Sequence, residues 1–201
     1  HALDAPGGRE ALRAFAEAWQ IPVAVSFRRQ DLFDNAHPLY AGDLGLRNPD
    51  DQRAAFAEAD LVLALGTRLT DITTQGWTWP APGQRLVHVC ADPRFLGWLF
   101  PAEMALAADA RATIAALAGE SPAAPAGRAA WNARLRDLHV SDCQVAPGRY
   151  ADGVAFAEAA KLIEAAAPPD AIVTLDAGTF GAPFDRKVAW TPPRRLLAPV
   201  S

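Results

Sequence analysis

The stretch Asp60-Leu61-Val62-Leu63-Ala64-Leu65-Gly66-Thr67-Arg68 decides the fold. Its five apolar residues run without polar alternation, which marks a strand covered on both faces, and it leaves directly into a glycine turn. Such strands belong to parallel sheets flanked by helices. Upstream, Asp50 or Asp51 is placed to cap a helix running to about Ala59. Downstream, Trp77 and Trp79 sit in a proline-flanked loop before a second strand, Arg85 to Cys90. Asp92-Pro93 then opens a helical turn, Ala105 to Ala108 forms a short strand, and Asp109 caps a helix from Ala110 to Leu117.

The same alternation extends toward the N-terminus. Leu12, Phe15, Ala16 and Trp19 recur at helical spacing between Gly8 and Gln20, and the run Ile21 to Val25 reads as a buried strand entered through Pro22. Between Ser26 and Asp51 lies turn chemistry, His37-Pro38, Gly42, Gly45 and Asn48-Pro49, in a loop long enough to be functional. Strands and helices in this order predict an α/β fold, a doubly wound, Rossmann-like and mostly parallel sheet with helices on both faces. Trp19 and Trp98 read as core, Trp77 and Trp79 as interface residues.

Composition agrees. Of 201 residues, 51% are hydrophobic and 21% charged, with a net charge of -4, so the chain can fill a core and has no concentrated basic face for nucleic acid. No apolar run reaches the roughly 18 residues of a membrane span and no basic-then-apolar leader precedes Gly8, so we expect a cytoplasmic protein with neither a nucleic-acid nor a membrane partner. The small-residue, proline-rich segment from Gly119 to Gly127 reads as a spacer. We therefore expect three parts: a central α/β domain over residues 1–118, whose first strand is missing, a linker with a helix over 119–151, and an incomplete further domain over 152–201. The last part offers a helix from Val154 to Ala166, a strand from Ala171 to Leu175, one turn, and little else to bury that strand.

Ligands of doubly wound sheets lie beyond the carboxyl ends of the strands. Three such places stand out: Gly66-Thr67-Arg68, Cys90-Ala91-Asp92, and Asp176-Ala177-Gly178-Thr179. Glycine allows close backbone approach, threonine offers a hydroxyl, and aspartate can accept from a ribose. An ordinary strand-exit turn at Gly66 and an N-cap at Asp92 account for the same residues. Neither the glycine-rich dinucleotide fingerprint nor a P-loop is present. His1, His37, His88 and His139 form no ligand pair, Cys90 and Cys143 lack the spacing of a metal or redox motif, and Ser26, Ser121, Ser141 and Ser201 lack a nucleophile elbow, so we assign no metal ligand and no catalytic residue. His88 reads as a packed or hydrogen-bonded strand residue.

The order of VAVSFRRQDLFDNAHPLYAGDLGLRNP (23–49), ADLVLALGTRLTDITT (59–74), QRLVHVCADPRFLG (84–97) and DAIVTLDAGTFG (170–181) resembles the thiamine-diphosphate-dependent enzymes, closest to the acetolactate synthase large-subunit type. The resemblance implies a central domain and the opening of the diphosphate-binding domain of an enzyme that decarboxylates 2-oxo acids and ligates the product, working as a homo-oligomer, a dimer or tetramer. Thiamine diphosphate and Mg²⁺ are implied for that enzyme. In the family the activating glutamate precedes the region matching His1 and the Mg²⁺ segment follows the region matching Ser201, so no turnover and no bound cofactor are expected for this chain alone. By resemblance Gly178 and Thr179 approach thiamine diphosphate. In relatives that hold FAD, the positions of Arg28 to Gly45, Gly66-Thr67-Arg68 and the strand ending at Asp92 grip the dinucleotide. Here Arg29, Asp31, Asn48 and Cys90 depart from that pattern, which crowds a pyrophosphate. A non-catalytic FAD- or ADP-binding module, or an oligomer-assembly module, is the alternative.

Overall fold

A computed structural model describes residues 2–151 and 153–199; His1 and Ser201, considered above, lie outside them. Helix α1 (Gly8–Trp19) leads into strand β1 (Val23–Ser26), which begins only after Pro22 because proline has no N–H for a ladder. Within the expected loop the chain forms a second strand, β2 (Tyr40–Leu44), all five residues of which are buried and which pairs parallel with β1. The sequence alone predicts a loop there because Gly42, Gly45 and Asn48-Pro49 are turn chemistry. Pairing with β1 and burial under a helix override that propensity.

Helix α2 (Asp50–Ala57) follows, with Pro49 at its N-cap position and no side-chain cap, so neither Asp50 nor Asp51 plays the expected role. Strands β3 (Leu61–Leu65), β4 (Arg85–Val89) and β5 (Met104–Leu106) form a parallel sheet in that order. Helix α3 (Ala110–Leu117) starts where the Asp109 carboxylate accepts from Ala112 N at 3.0 Å, the cap expected from sequence. Among the described residues β1 and β3 are not paired, so the parallel strands fall into separate sheets, yet both strands feed one core.

Alternation along the strands shows how both faces are covered. Val23 and Val25 of β1 and Leu63 and Leu65 of β3 meet α1 and α3 through Leu12, Phe15, Ala16, Ala110 and Ile114. Ala24 points the other way, to Ala55, Phe56 and Leu135. Leu135 belongs to α4 (Arg128–Asp142), which follows the exposed 119–127 segment, returns across β2 and packs on α2. Helices thus lie on both faces, as the doubly wound reading requires.

The remaining chain forms α5 (Phe156–Ala166), β6 (Ile172–Thr174), α6 (Ala182–Lys187) and β7 (Arg195–Leu197), with β6 and β7 parallel. As the sequence leads one to expect, little buries the first of these strands: Ile172 and Thr174 are exposed and Val173 alone is half-buried. Trp190 is fully buried with Leu196, Val188 and Ala160, and Val173 packs against them. This small core was invisible because α6 and β7 are too short for periodicity to reveal. Trp98, read as core, is 67% exposed.

Candidate functional site

Beyond the carboxyl ends of β3 and β4 the structure brings four of the expected residues together. Gly66 leaves β3 at φ +65 with its N–H donating to Val89 O at 2.8 Å, so the turn is tied to the neighbouring strand. Thr67 Oγ1 accepts from Leu69 N, and its carbonyl accepts from His88 Nε2 at 2.8 Å. His88 is 1% exposed and hydrogen-bonded, as read from sequence. The Arg68 guanidinium lies over the Phe95 ring at 5.6 Å. Asp92 caps the turn that follows it and takes Arg94 Nε and Nη2 on its carboxylate. Those hydrogen bonds hold its pKa down at about 2. Asp92 is therefore a carboxylate already engaged by its own neighbour. Cys90 is a buried free thiol.

Gly178 and Thr179 stand apart from this group. They line a cleft of about 380 Å³, to which the turn after β1 contributes Phe27 and Arg28, β2 contributes Asp43, the turn after β2 contributes Leu46, the stretch after β3 contributes Ile72, the turn after β6 contributes Leu175 and Asp176, and α6 contributes Asp185 and Arg186. The carboxyl ends of β1, β2 and β6 converge here. The cleft lies where the α5–β7 part meets the sheets. Gly178 has φ +147, and a Cβ there would sit 2.6 Å from Phe180 Cε1, so only glycine holds this turn.

Three charged cleft residues went unnoticed in the sequence: Asp43, Asp185 and Arg186. Asp43 is 8% exposed, and its Oδ2 accepts from Gln30 Nε2 at 3.1 Å. Burial raises its pKa to about 6, against the opposing pull of Arg186. Burial and then the charge of Asp43 raise Asp185 to about 7. Asp185 Oδ1 is buried without a hydrogen-bond partner among the described residues. Arg186 Nη2 donates to the carbonyls of Leu46 and Arg47 across the cleft mouth, and Arg28 Nη1 donates to Pro199 O. The available signal was an acid beside one apolar residue and flanked by two glycines, Gly42-Asp43-Leu44-Gly45; in the structure a Cβ at Gly45 would fall 2.4 Å from Asp43 Oδ2.

Among the described residues no three His, Cys, Asp or Glu side chains are grouped to hold a metal, and no helix is long and apolar enough to cross a membrane. His139 and Cys143, one turn apart on α4, approach at 3.6 Å, but burial lowers the His139 pKa to about 4 and raises that of Cys143 to about 11. Both are neutral, and the thiol is not activated.

Residues 2–117 match the family described as thiamine pyrophosphate enzyme, central domain. A sulfoacetaldehyde acetyltransferase of Rhodobacter capsulatus is 30% identical over 214 residues, covering 92% of this chain and 35% of that protein. An acetolactate synthase large subunit of Parasynechococcus marenigrum is 30% identical over 84% of this chain and 27% of its own length. The Escherichia coli acetolactate synthase isozyme 2 large subunit is 28% identical over 93% of this chain and 33% of its own length. The chain thus spans about a third of the length of these relatives. The resemblance seen in the sequence is borne out and extends to the sulfoacetaldehyde acetyltransferases.

Proposed function

We infer that this chain, which belongs to the thiamine pyrophosphate enzyme family through its central domain, supplies one wall of a cofactor cleft in an enzyme acting on 2-oxo acids by decarboxylation and carboligation. One observation carries this reading: the carboxyl ends of β1, β2 and β6 meet at a single cleft that contains Gly178 and Thr179. The division into residues 1–118, 119–151 and 152–201 belongs to the same proposal, as do a homo-oligomeric parent, a dimer or tetramer, and a cytoplasmic location.

The cleft fits part of thiamine diphosphate. Phe27, Leu46, Ile72 and Leu175 offer apolar walls for a ring, the Gly178 backbone permits close approach, and Thr179 offers a hydroxyl. Thiamine diphosphate, when bound, supplies the electron sink for decarboxylation. Three carboxyls, Asp43, Asp176 and Asp185, line the same space and, where ionised, would oppose phosphates. Arg186 is committed to backbone carbonyls. No residue of this chain is assigned to Mg²⁺. The protein's own contribution is to bind, orient and exclude water.

FAD does not fit the strand ends. Asp92, which would accept from a ribose, is held by Arg94, Arg68 lies over Phe95, and Cys90 is buried.

Amide chemical shifts of the purified chain, followed during addition of thiamine diphosphate with Mg²⁺, test the reading. Saturable shifts at Gly178, Thr179 and Leu46 at about millimolar ligand are expected, too weak for the cofactor to survive purification. FAD should leave Gly66 and Asp92 unmoved. Shifts scattered over the surface, or none in the cleft, would overturn the assignment.

A further inference from the structure

Among the described residues β1 pairs on one side only, with β2, and β3 on one side only, with β4; β1 and β3 do not run against each other along their length. The two strands nevertheless share their cover. On one face Val23 and Val25 of β1 and Leu63 and Leu65 of β3 pack on the same two helices, α1 and α3. On the other face Trp79 packs both against the group that holds Ala24 of β1 and against the group that holds Val62 and Ala64 of β3. Common cover on both faces, without a ladder between the strands, makes a slot walled by β1 and β3.

The hydrogen bonds of the walls point the same way. Val23 N donates to Leu39 O and Gly66 N to Val89 O, each on the side of its strand away from the slot. Alternation along a parallel strand then turns the peptide groups of Ala24, Leu63 and Leu65, all half-buried residues, into the slot. Such groups are costly while unpaired and are a template for a further strand. At the carboxyl end, Arg29, just beyond β1, donates to Asp4. Just beyond β3, Gly66 lies against Ala110, and Arg111 lies against Gly7. Residues 4–7 therefore cross that end of the slot.

We propose that the slot between β1 and β3 binds one extended apolar peptide strand of roughly five residues, parallel to both walls, which completes a ladder on each of its sides. The occupant is apolar on both faces, because α1 and α3 cover one and Trp79 the other, and the slot-forming residues Val23, Ala24, Val25 and Leu61–Leu65 carry no charge. Strand order agrees: a doubly wound sheet has one strand at the place where its order reverses, and here that place lies between the β2-β1 pair and the β3-β4-β5 set. The edge at β5 is a poorer host, since all three of its residues are exposed and offer an added strand no cover. Nothing in this inference rests on the cofactor reading.

The experiment measures amide exchange of the whole chain by NMR while the peptide Lys-Lys-Val-Ala-Val-Ile-Val-Gly is added. Exchange at Ala24, Leu63 and Leu65 should slow saturably, by about tenfold or more, with Val23 and Gly66 unchanged because they are already bonded. A control peptide with lysine at alternate positions should have no effect, since one of its faces would bury charge. In a second arm the same peptide is joined ahead of His1 through a flexible linker of about four residues, which raises its local concentration and places its carboxyl end near Asp4. The same three amides should slow there and the melting temperature should rise. Protection of Ala24 and Leu63 before any peptide is added would show that the walls pair directly and would overturn the proposal. So would protection confined to residues 104–106, equal binding of the control peptide, or no change in the linked chain.

Discussion

Asn35 and Trp190, 155 residues apart, are joined by two hydrogen bonds: Trp190 N donates to Asn35 Oδ1 at 3.0 Å, and Asn35 N donates to Trp190 O at 3.2 Å. Asn35 Nδ2 also donates to the carbonyls of Gln30 and Phe33, at 2.8 and 2.9 Å. One buried amide therefore organises the segment after β1 and fixes the α5–β7 part upon it.

Asn35→Ala should cost roughly 3 kcal/mol, since it leaves the Trp190 N–H and two carbonyls without their partner. Urea unfolding followed by tryptophan fluorescence measures this. Asn35→Asp keeps an acceptor for Trp190 but turns a carboxylate toward two carbonyls, so it should be no more stable than the alanine variant. An aspartate variant as stable as the unmodified protein would contradict the bonding scheme.

Asp31 is 3% exposed and takes Arg9 Nη2 at 3.0 Å and Arg195 Nε at 2.8 Å, while Asp4 takes Arg9, Arg29 and Arg195. Removing the buried anion in Asp31→Ala leaves Arg9 and Arg195 with only Asp4 between them. We expect a loss of about 2–4 kcal/mol, reduced from the fully buried case because Arg195 is 40% exposed. Arg195→Ala should lose about 1 kcal/mol and respond more to salt. Thermal unfolding at low and high ionic strength separates the two.

His139 contributes in the opposite direction on the pH axis from the cleft acids. Burial, then Arg136, lowers its folded-state pKa to about 4, so the folded chain prefers the neutral ring. That contribution is complete above the ordinary value of 6.5 and is lost as pH falls through about 4. His139→Phe, which preserves the edge contact with Tyr40, should flatten the decline of the melting temperature between these limits. An unchanged acid limb would assign that decline to other groups.

Gly66 adopts φ +65, and a Cβ there would meet only Ala110 Cβ, at 3.4 Å. The constraint is conformational rather than steric. Gly66→Asn should cost under about 1 kcal/mol and Gly66→Val about 2 kcal/mol or more, because asparagine tolerates the left-handed region and a β-branched residue does not. Equal losses in chemical denaturation would show that space decides.

Local chemistry made much of this fold legible. The apolar run at Leu61–Leu65 fixes a strand on its own evidence, as does helical spacing at Leu12, Phe15 and Ala16, and the Asp109 cap is a contact over three residues. Gly178 and Thr179 were legible for the same reason, since a glycine turn following a β-branched run marks a strand exit. Asp43 was not. It sits in Tyr40–Leu44, which becomes a strand only by pairing with β1 and is buried only because α4 returns across it.

The sequence by itself determined which segments are helix and strand where periodicity is long enough, the parallel α/β class, and the family resemblance. Only the tertiary structure decided that Asp43 and Asp185 share a cleft, that Asp92 is held by Arg94, and that Trp190 has a core. The difference is physical: helix caps and strand exits depend on neighbours a few residues away, whereas burial, charge pairing and carboxyl pKa depend on groups that folding brings from distant parts of the chain.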